Sequence, residues 1–148
     1  MFNYENLIRY RENQLLSYRG YYNHVAMIFE KNNIYQPLSY GTNYLIDIYD
    51  HQSVHAEHDA LNKLKKNRSS KLKKINILVI RYTTTQELTT SKPCETCLDK
   101  MKWMAHQKGY KVNKVYYSGF RKIYYEKFDI LYSEDKKHIT NRQRRKIN

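Results

Sequence analysis

INILVIRY, residues 75–82, is the stretch on which the fold turns. It is nearly all aliphatic, bounded by Lys73-Lys74 before it and threonines after it, and reads as a central strand buried on both faces. Downstream, PCETCLDKMKWMAHQKG (93–109) opens on a proline, which loses nothing at a helix start, and closes on Gly109. Leu98, Met101, Met104 and Ala105 mark that helix's inner face, and Val112 to Ser118 follows as another strand. A strand, a helical crossover and a second strand predict a parallel pair with a right-handed connection. Only Gly119-Phe120 then separates Ser118 from the strand-like Arg121 to Leu131, a link short enough for an antiparallel hairpin.

Upstream, Tyr4, Leu7, Ile8, Arg11, Leu15 and Leu16 recur at helical spacing, with Asn3 as cap and Gly20 as stop. His24 to Lys31 (HVAMIFEK) reads as a strand, Asn32-Asn33 as a turn, and Ile34 to Tyr44 as a ragged strand broken by Pro37 and Gly41. Ser53 is the expected N-cap of a helix whose face is Val54, Ala56, Ala60, Leu61 and Leu64. Thr83 to Lys92 is a polar loop. The order of elements is α/β, in a single domain over residues 1–132 with a basic tail or short helix at 133–148. No internal repeat is visible.

The chain has 148 residues, 41% of them apolar and 14% aromatic, and a formal net charge of +13. That length suits one core. No run approaches the eighteen or so apolar residues of a membrane helix. Glu5, Arg9 and Arg11 are incompatible with a secretory signal, so a soluble, intracellular protein, cytoplasmic rather than nuclear, is expected. The charge predicts attraction to polyanions, from nucleotides to nucleic acids. It concentrates in two stretches, Lys63 to Lys74 and Lys136 to Lys146. Each reads either as a nucleic-acid contact or as a solvated face or tail.

Two cysteines cannot build a disulfide scaffold, and C-x-x-C in such a protein points to metal or redox chemistry. Cys94 and Cys97, three apart at a helix start, put their β-carbons roughly 5–6 Å from each other. Unpaired N–H groups there favour thiolates, which suit an ion of tetrahedral preference at Zn–S distances of about 2.3 Å. His55 offers a third ligand from the other helix. The fourth position is then open to water, whose pKa zinc lowers from 15.7 towards about 7–9. Glu57, two residues from His55, is the expected proton shuttle beside the metal.

SVHAEHDAL (53–61) and SKPCETC (91–97) resemble the two zinc motifs of the cytidine and deoxycytidylate deaminase superfamily. The resemblance is strongest from Tyr40 to Trp103. It implies a three-layer α/β fold, a five-stranded mixed sheet with the two motif helices side by side on one face. It implies hydrolytic deamination of cytosine, with one zinc per chain as cofactor and Glu57 as the catalytic acid–base. It further implies a nucleotide substrate of CMP or dCMP type and a homo-oligomer. Ser39-Tyr40-Gly41-Thr42-Asn43 resembles the strand that ends in a ribose-contacting asparagine, which nominates Asn43. The Ala56 N–H would hold the base carbonyl, and a backbone carbonyl near Ser91 or Lys92 would accept from the amine. Departures bear on the substrate: Tyr44 and Leu45 follow Asn43, where free-cytidine deaminases usually place Asn-x-Glu. The short Gly119-Phe120 link resembles the free-nucleoside branch.

Three other readings stay open. The deaminase could edit single-stranded DNA or RNA, or the chain could be a non-catalytic, zinc-stapled nucleic-acid-binding module. A closed structural site from His55, His58, Cys94 and Cys97 is the third, with His51 and His106 also available. Against that, His58 is expected on the helix surface or behind the ligands and Glu95 as a solvated helix-start charge; Trp103 reads as a core residue before a substrate-stacking one. Tyr21, Tyr22, Tyr116, Tyr117, Tyr124 and Tyr125 read either as base-stacking surfaces or as half-buried sheet residues.

Overall fold

A computed structural model describes residues 24–31, 33, 36–47, 52–82, 87–93, 95–120 and 122–133. The expected N-terminal helix from Tyr4 to Leu16, Cys94 and the basic stretch from Lys136 to Lys146 lie outside them. The described residues form an α/β structure around a mixed, open sheet. Its strands are β1 (His24–Phe29), β2 (Ser39–Thr42), β5 (Lys73–Tyr82), β7 (Tyr110–Gly119) and β8 (Lys122–Lys127), in the order β2-β1-β5-β7-β8. A two-residue strand, β6 (Leu88–Thr89), pairs with β5 off this path. Helices α1 (Ala56–Lys63) and α2 (Glu95–Gln107) pack against each other, and residues 128–133 are helical as well. No helix among the described residues is long and apolar enough to cross a membrane.

β5 is the centre of the molecule. Ile75, Ile77 and Val79 face α1 and α2, in a cluster with Ala60, Leu61, Leu98 and Met101. Leu78, Ile80 and Tyr82 alternate onto the opposite face with Val25, Met27 and Phe29. Each fully buried aliphatic side chain contributes about 1.5–3 kcal/mol, so this strand anchors both faces. Its one interior polar residue, Asn76, is buried but matched. Asn76 donates to the Lys31 carbonyl (2.7 Å) and accepts from the Lys114 N–H (3.1 Å), at a register shift in the β5–β7 pairing. That pairing is parallel, and β7–β8 is antiparallel across Gly119-Phe120. Gly109, at φ 87°, ends α2 in the left-handed conformation that a side chain resists.

Four expectations need correction. The strand expected over Ile34–Tyr44 is shorter and split: β2 covers Ser39–Thr42, and a separate hairpin follows, β3 (Tyr44–Asp47) and β4 (Gln52–Val54). The split falls at Asn43, whose Oδ1 accepts from the His24 N–H (3.0 Å) and so closes the β1–β2 ladder with a side chain. Ser53 is not a helix cap. It lies in β4, and α1 starts after His55, which holds the N-cap position in extended conformation with no side-chain cap bond. β8 stops at Lys127 instead of reaching Leu131, because Phe128 and Leu131, three apart, are buried together by a helical turn. Trp103 is 64% exposed, not in the core. Leu98, Met101 and Ala105 fill the buried side of α2, and Trp103 lies two residues off that stripe.

α1 is seated by β2. A side chain at Gly41 would collide with the Ala56 carbonyl and the Ala60 backbone, so glycine is what lets strand and helix touch. On either side, Ser39 Oγ donates to the Ala60 carbonyl (2.7 Å), and the Thr42 N–H donates to Asp59 Oδ2 (3.0 Å). At the far end, Lys108 Nζ donates to the carbonyls of Asn62 (2.5 Å) and Leu64 (2.6 Å), a cation where the helix dipole favours one.

Candidate metal centre and cavity

The β3–β4 hairpin leaves the sheet after Asn43 and returns at His55, so its two ends reach the same cavity. Because His55 does not use its side chain as a cap, the imidazole is available to face α2. There Cys97 occupies the first turn, where the helix N-terminus favours a thiolate. His55 Nδ1 and Cys97 Sγ lie 2.9 Å apart. One tetrahedral ion with Zn–N and Zn–S bonds would hold such a pair roughly 3.5 Å apart, so a small outward shift accommodates it. Glu57 Oε1 is 3.7 Å from the same imidazole nitrogen, an ion-pair contact and not a hydrogen bond. One donor atom from each of His55, Glu57 and Cys97 lies within 4.8 Å of the others, and together they could hold a metal ion.

The two partners differ in exposure: the His55 side chain is 50% exposed and that of Glu57 6%. Pairing with Glu57 raises the pKa of His55 against the effect of its partial burial. For Glu57, burial alone would push the carboxyl up. The contact with His55, its own backbone N–H and the nearby imidazoles outweigh that and hold it below its ordinary value. Glu57 is thus a buried carboxylate that stays ionised beside an imidazole and a thiol.

His58 supports this arrangement from behind. It is buried, lies parallel to His55 with ring centroids 5.3 Å apart, and its Nε2 meets the Cys97 carbonyl at 3.3 Å. Burial lowers its pKa, which keeps the ring neutral. Among the described residues His58 is not in the group that could hold a metal: its Nε2 faces the Cys97 carbonyl, and His106 is exposed at the far end of α2, while Cys94 and His51 of the four-ligand reading lie outside the described residues. Glu95 sits in the first turn of α2 as expected.

A cavity of ≈ 340 Å³ opens over these groups, within the range of about 300–1,000 Å³ seen for small-molecule sites. Asn43, Ala56 and Ser91 all line it, together with Lys92 and Pro93. The Ser91 side chain is committed to the fold: its hydroxyl donates to the Val79 carbonyl (2.7 Å) and accepts from the Ser118 N–H (2.8 Å). The Ser91 N–H also donates to the Ser118 carbonyl (2.9 Å), which clamps the strand leading to Pro93 against the end of β7. What Ser91 can offer a ligand is backbone.

Two ionisable lining residues were not anticipated from the sequence, His24 and Arg81. They are register partners across β1 and β5. Burial, and then the charge of Arg81, lowers the His24 pKa to about 4, so this imidazole is neutral at pH 7. Arg81 Nε is buried and has no hydrogen-bond partner among the described residues. An unpaired buried donor costs about 1–3 kcal/mol, more when charged. No signal in the sequence marks either residue, since their meeting depends on the register between distant strands. Compared with known proteins, the chain matches no family model, no curated protein and no solved structure.

Proposed function

We propose that this chain is a zinc-dependent hydrolytic deaminase acting on the cytosine base of a nucleotide, of CMP or dCMP type. One observation carries the reading: an imidazole, a thiol and a buried carboxylate converge within 4.8 Å beside a ligand-sized cavity. His55 and Cys97 would hold the ion, with Cys94 as the third ligand expected from the C-x-x-C spacing. When bound, zinc would supply Lewis acidity at an open position and bring the pKa of water towards about 7.

The chain's own groups do the rest. The Glu57 carboxylate accepts a proton from the attacking water and delivers it to the ring nitrogen of the base. A second transfer through the same carboxylate reaches the departing amine, so water and cytosine become uracil and ammonia. General acid–base assistance of this kind is worth about 10²–10⁴-fold. The Ala56 N–H at the start of α1 holds the base carbonyl, and Asn43 lies on the ribose side. His58 keeps Cys97 oriented, as outer partners of metal ligands do.

The test is ammonia release by purified, zinc-replete protein offered cytidine, CMP, dCMP, guanine, tRNA and single-stranded DNA. CMP or dCMP is expected to be the best substrate. Glu57→Ala should lose at least about 10²-fold in rate while retaining its zinc. If Glu57→Ala matches the wild type, or if metal-loaded protein binds RNA and releases ammonia from nothing, the reading fails. Release from polynucleotide alone would make the chain an editing enzyme.

A further inference from the structure

We propose that Arg81 reads a phosphate on the substrate, so that the cavity takes a mononucleotide in preference to a nucleoside; the base end of this assignment rests on the deaminase reading above. Arg81 lines the cavity, and its Nε is an unpartnered buried donor. Among the described residues Glu57 is the only acidic one in that lining, and its carboxylate lies within 4.8 Å of the His55 and Cys97 donor atoms. Lys92, the other cation of the lining, is already paired with Glu126 at 3.8 Å. His24, opposite Arg81 across the strands, carries no charge at pH 7. A guanidinium presents planar, forked donors that match phosphate oxygens, and Arg81 brings one to the cavity wall. The cavity's volume, ≈ 340 Å³, is at the small end for ligand sites, which suits one nucleotide and not a strand.

The experiment is calorimetric titration of zinc-replete full chain carrying Glu57→Gln, which blocks turnover, with CMP, cytidine and a 5′-phosphorylated oligocytidylate. CMP is expected to bind about 10–100-fold more tightly than cytidine, the range of a charge-assisted contact. Adding Arg81→Gln should abolish that gap and leave cytidine affinity unchanged. Arg81→Lys, which keeps the charge and loses the fork, should keep only part of it. Should Arg81→Gln fail to fold, a melting curve shows it and Arg81→Lys decides. A full gap in folded Arg81→Lys overturns the proposal. So does equal affinity for CMP and cytidine before Arg81 is changed, absence of binding included. Oligonucleotide bound through Arg81 more tightly than CMP would overturn the mononucleotide assignment. The two readings fail separately. Arg81-dependent CMP binding without ammonia release sinks the reaction and keeps the subsite. Ammonia release from cytidine and CMP alike, at equal affinity, does the reverse.

Discussion

Cys97 is held twice, by its sulfur facing His55 and by its carbonyl facing His58. Replacing His58 with phenylalanine keeps a ring against His55 and deletes the bond to the carbonyl. Zinc affinity, measured against a competing chelator, is expected to fall about 10–100-fold with the fold intact. His24 allows a pH prediction. Its folded pKa, about 4, is below the ordinary 6.5, so above pH 6.5 the ring is neutral folded or unfolded and its contribution is complete. Between 6.5 and 4 the unfolded chain takes up a proton that the folded chain refuses, and stability falls by about 2 kcal/mol after allowance for partial exposure. Urea melts across this window should show the loss, and His24→Gln should flatten it. Arg81→Gln should raise the His24 pKa, as read by NMR titration. At this scale the sequence was informative where chemistry repeats at short spacing: His55, Glu57 and Cys97 were legible. His24 and Arg81 were not, because a single histidine and a single arginine at strand ends have no pattern until strand pairing opposes them.

At the level of elements, the seat of α1 on β2 is the sensitive joint. Gly41→Ala should cost more than about 3 kcal/mol, since the new methyl meets backbone that cannot swing aside. Thermal melting reads that cost, and zinc affinity should fall with it because His55 begins at that helix. Lys108→Met removes the cation from the carbonyls of Asn62 and Leu64 and should cost about 1–2 kcal/mol, with little change at the metal. The β5 strand, the start of α2 after Pro93 and its stop at Gly109 were legible from aliphatic continuity and glycine placement. The start of α1 was not. Ser53 has the chemistry of a cap, but the β3–β4 hairpin takes it into a strand and leaves the position to His55. Trp103 misled for a related reason: bulk and hydrophobicity argue for burial, whereas helical phase puts it two residues from the buried stripe.

For the whole molecule, the parallel β5–β7 pair and the antiparallel β7–β8 hairpin were legible, because connection length and crossover handedness leave few alternatives. The positions of β1 and β2 relative to β5 were not, since no local pattern sets the order of strands across a sheet. The net charge of +13 makes a prediction of its own. With CMP as substrate, kcat/KM should fall as salt rises from low to physiological strength, whereas a neutral nucleoside should show no such dependence. Finally, the sulfur and the imidazole are 42 residues apart in the chain, and the helix bearing the sulfur crosses between β5 and β7, which pair in parallel, while it also packs on α1. If the site holds an ion, a nascent polypeptide emerging from the ribosome is expected to grip it firmly only once residues near Gly119 have cleared the exit tunnel. On that reading, metal loading would come late in biogenesis, and capture of the ion and completion of the sheet would stabilise each other.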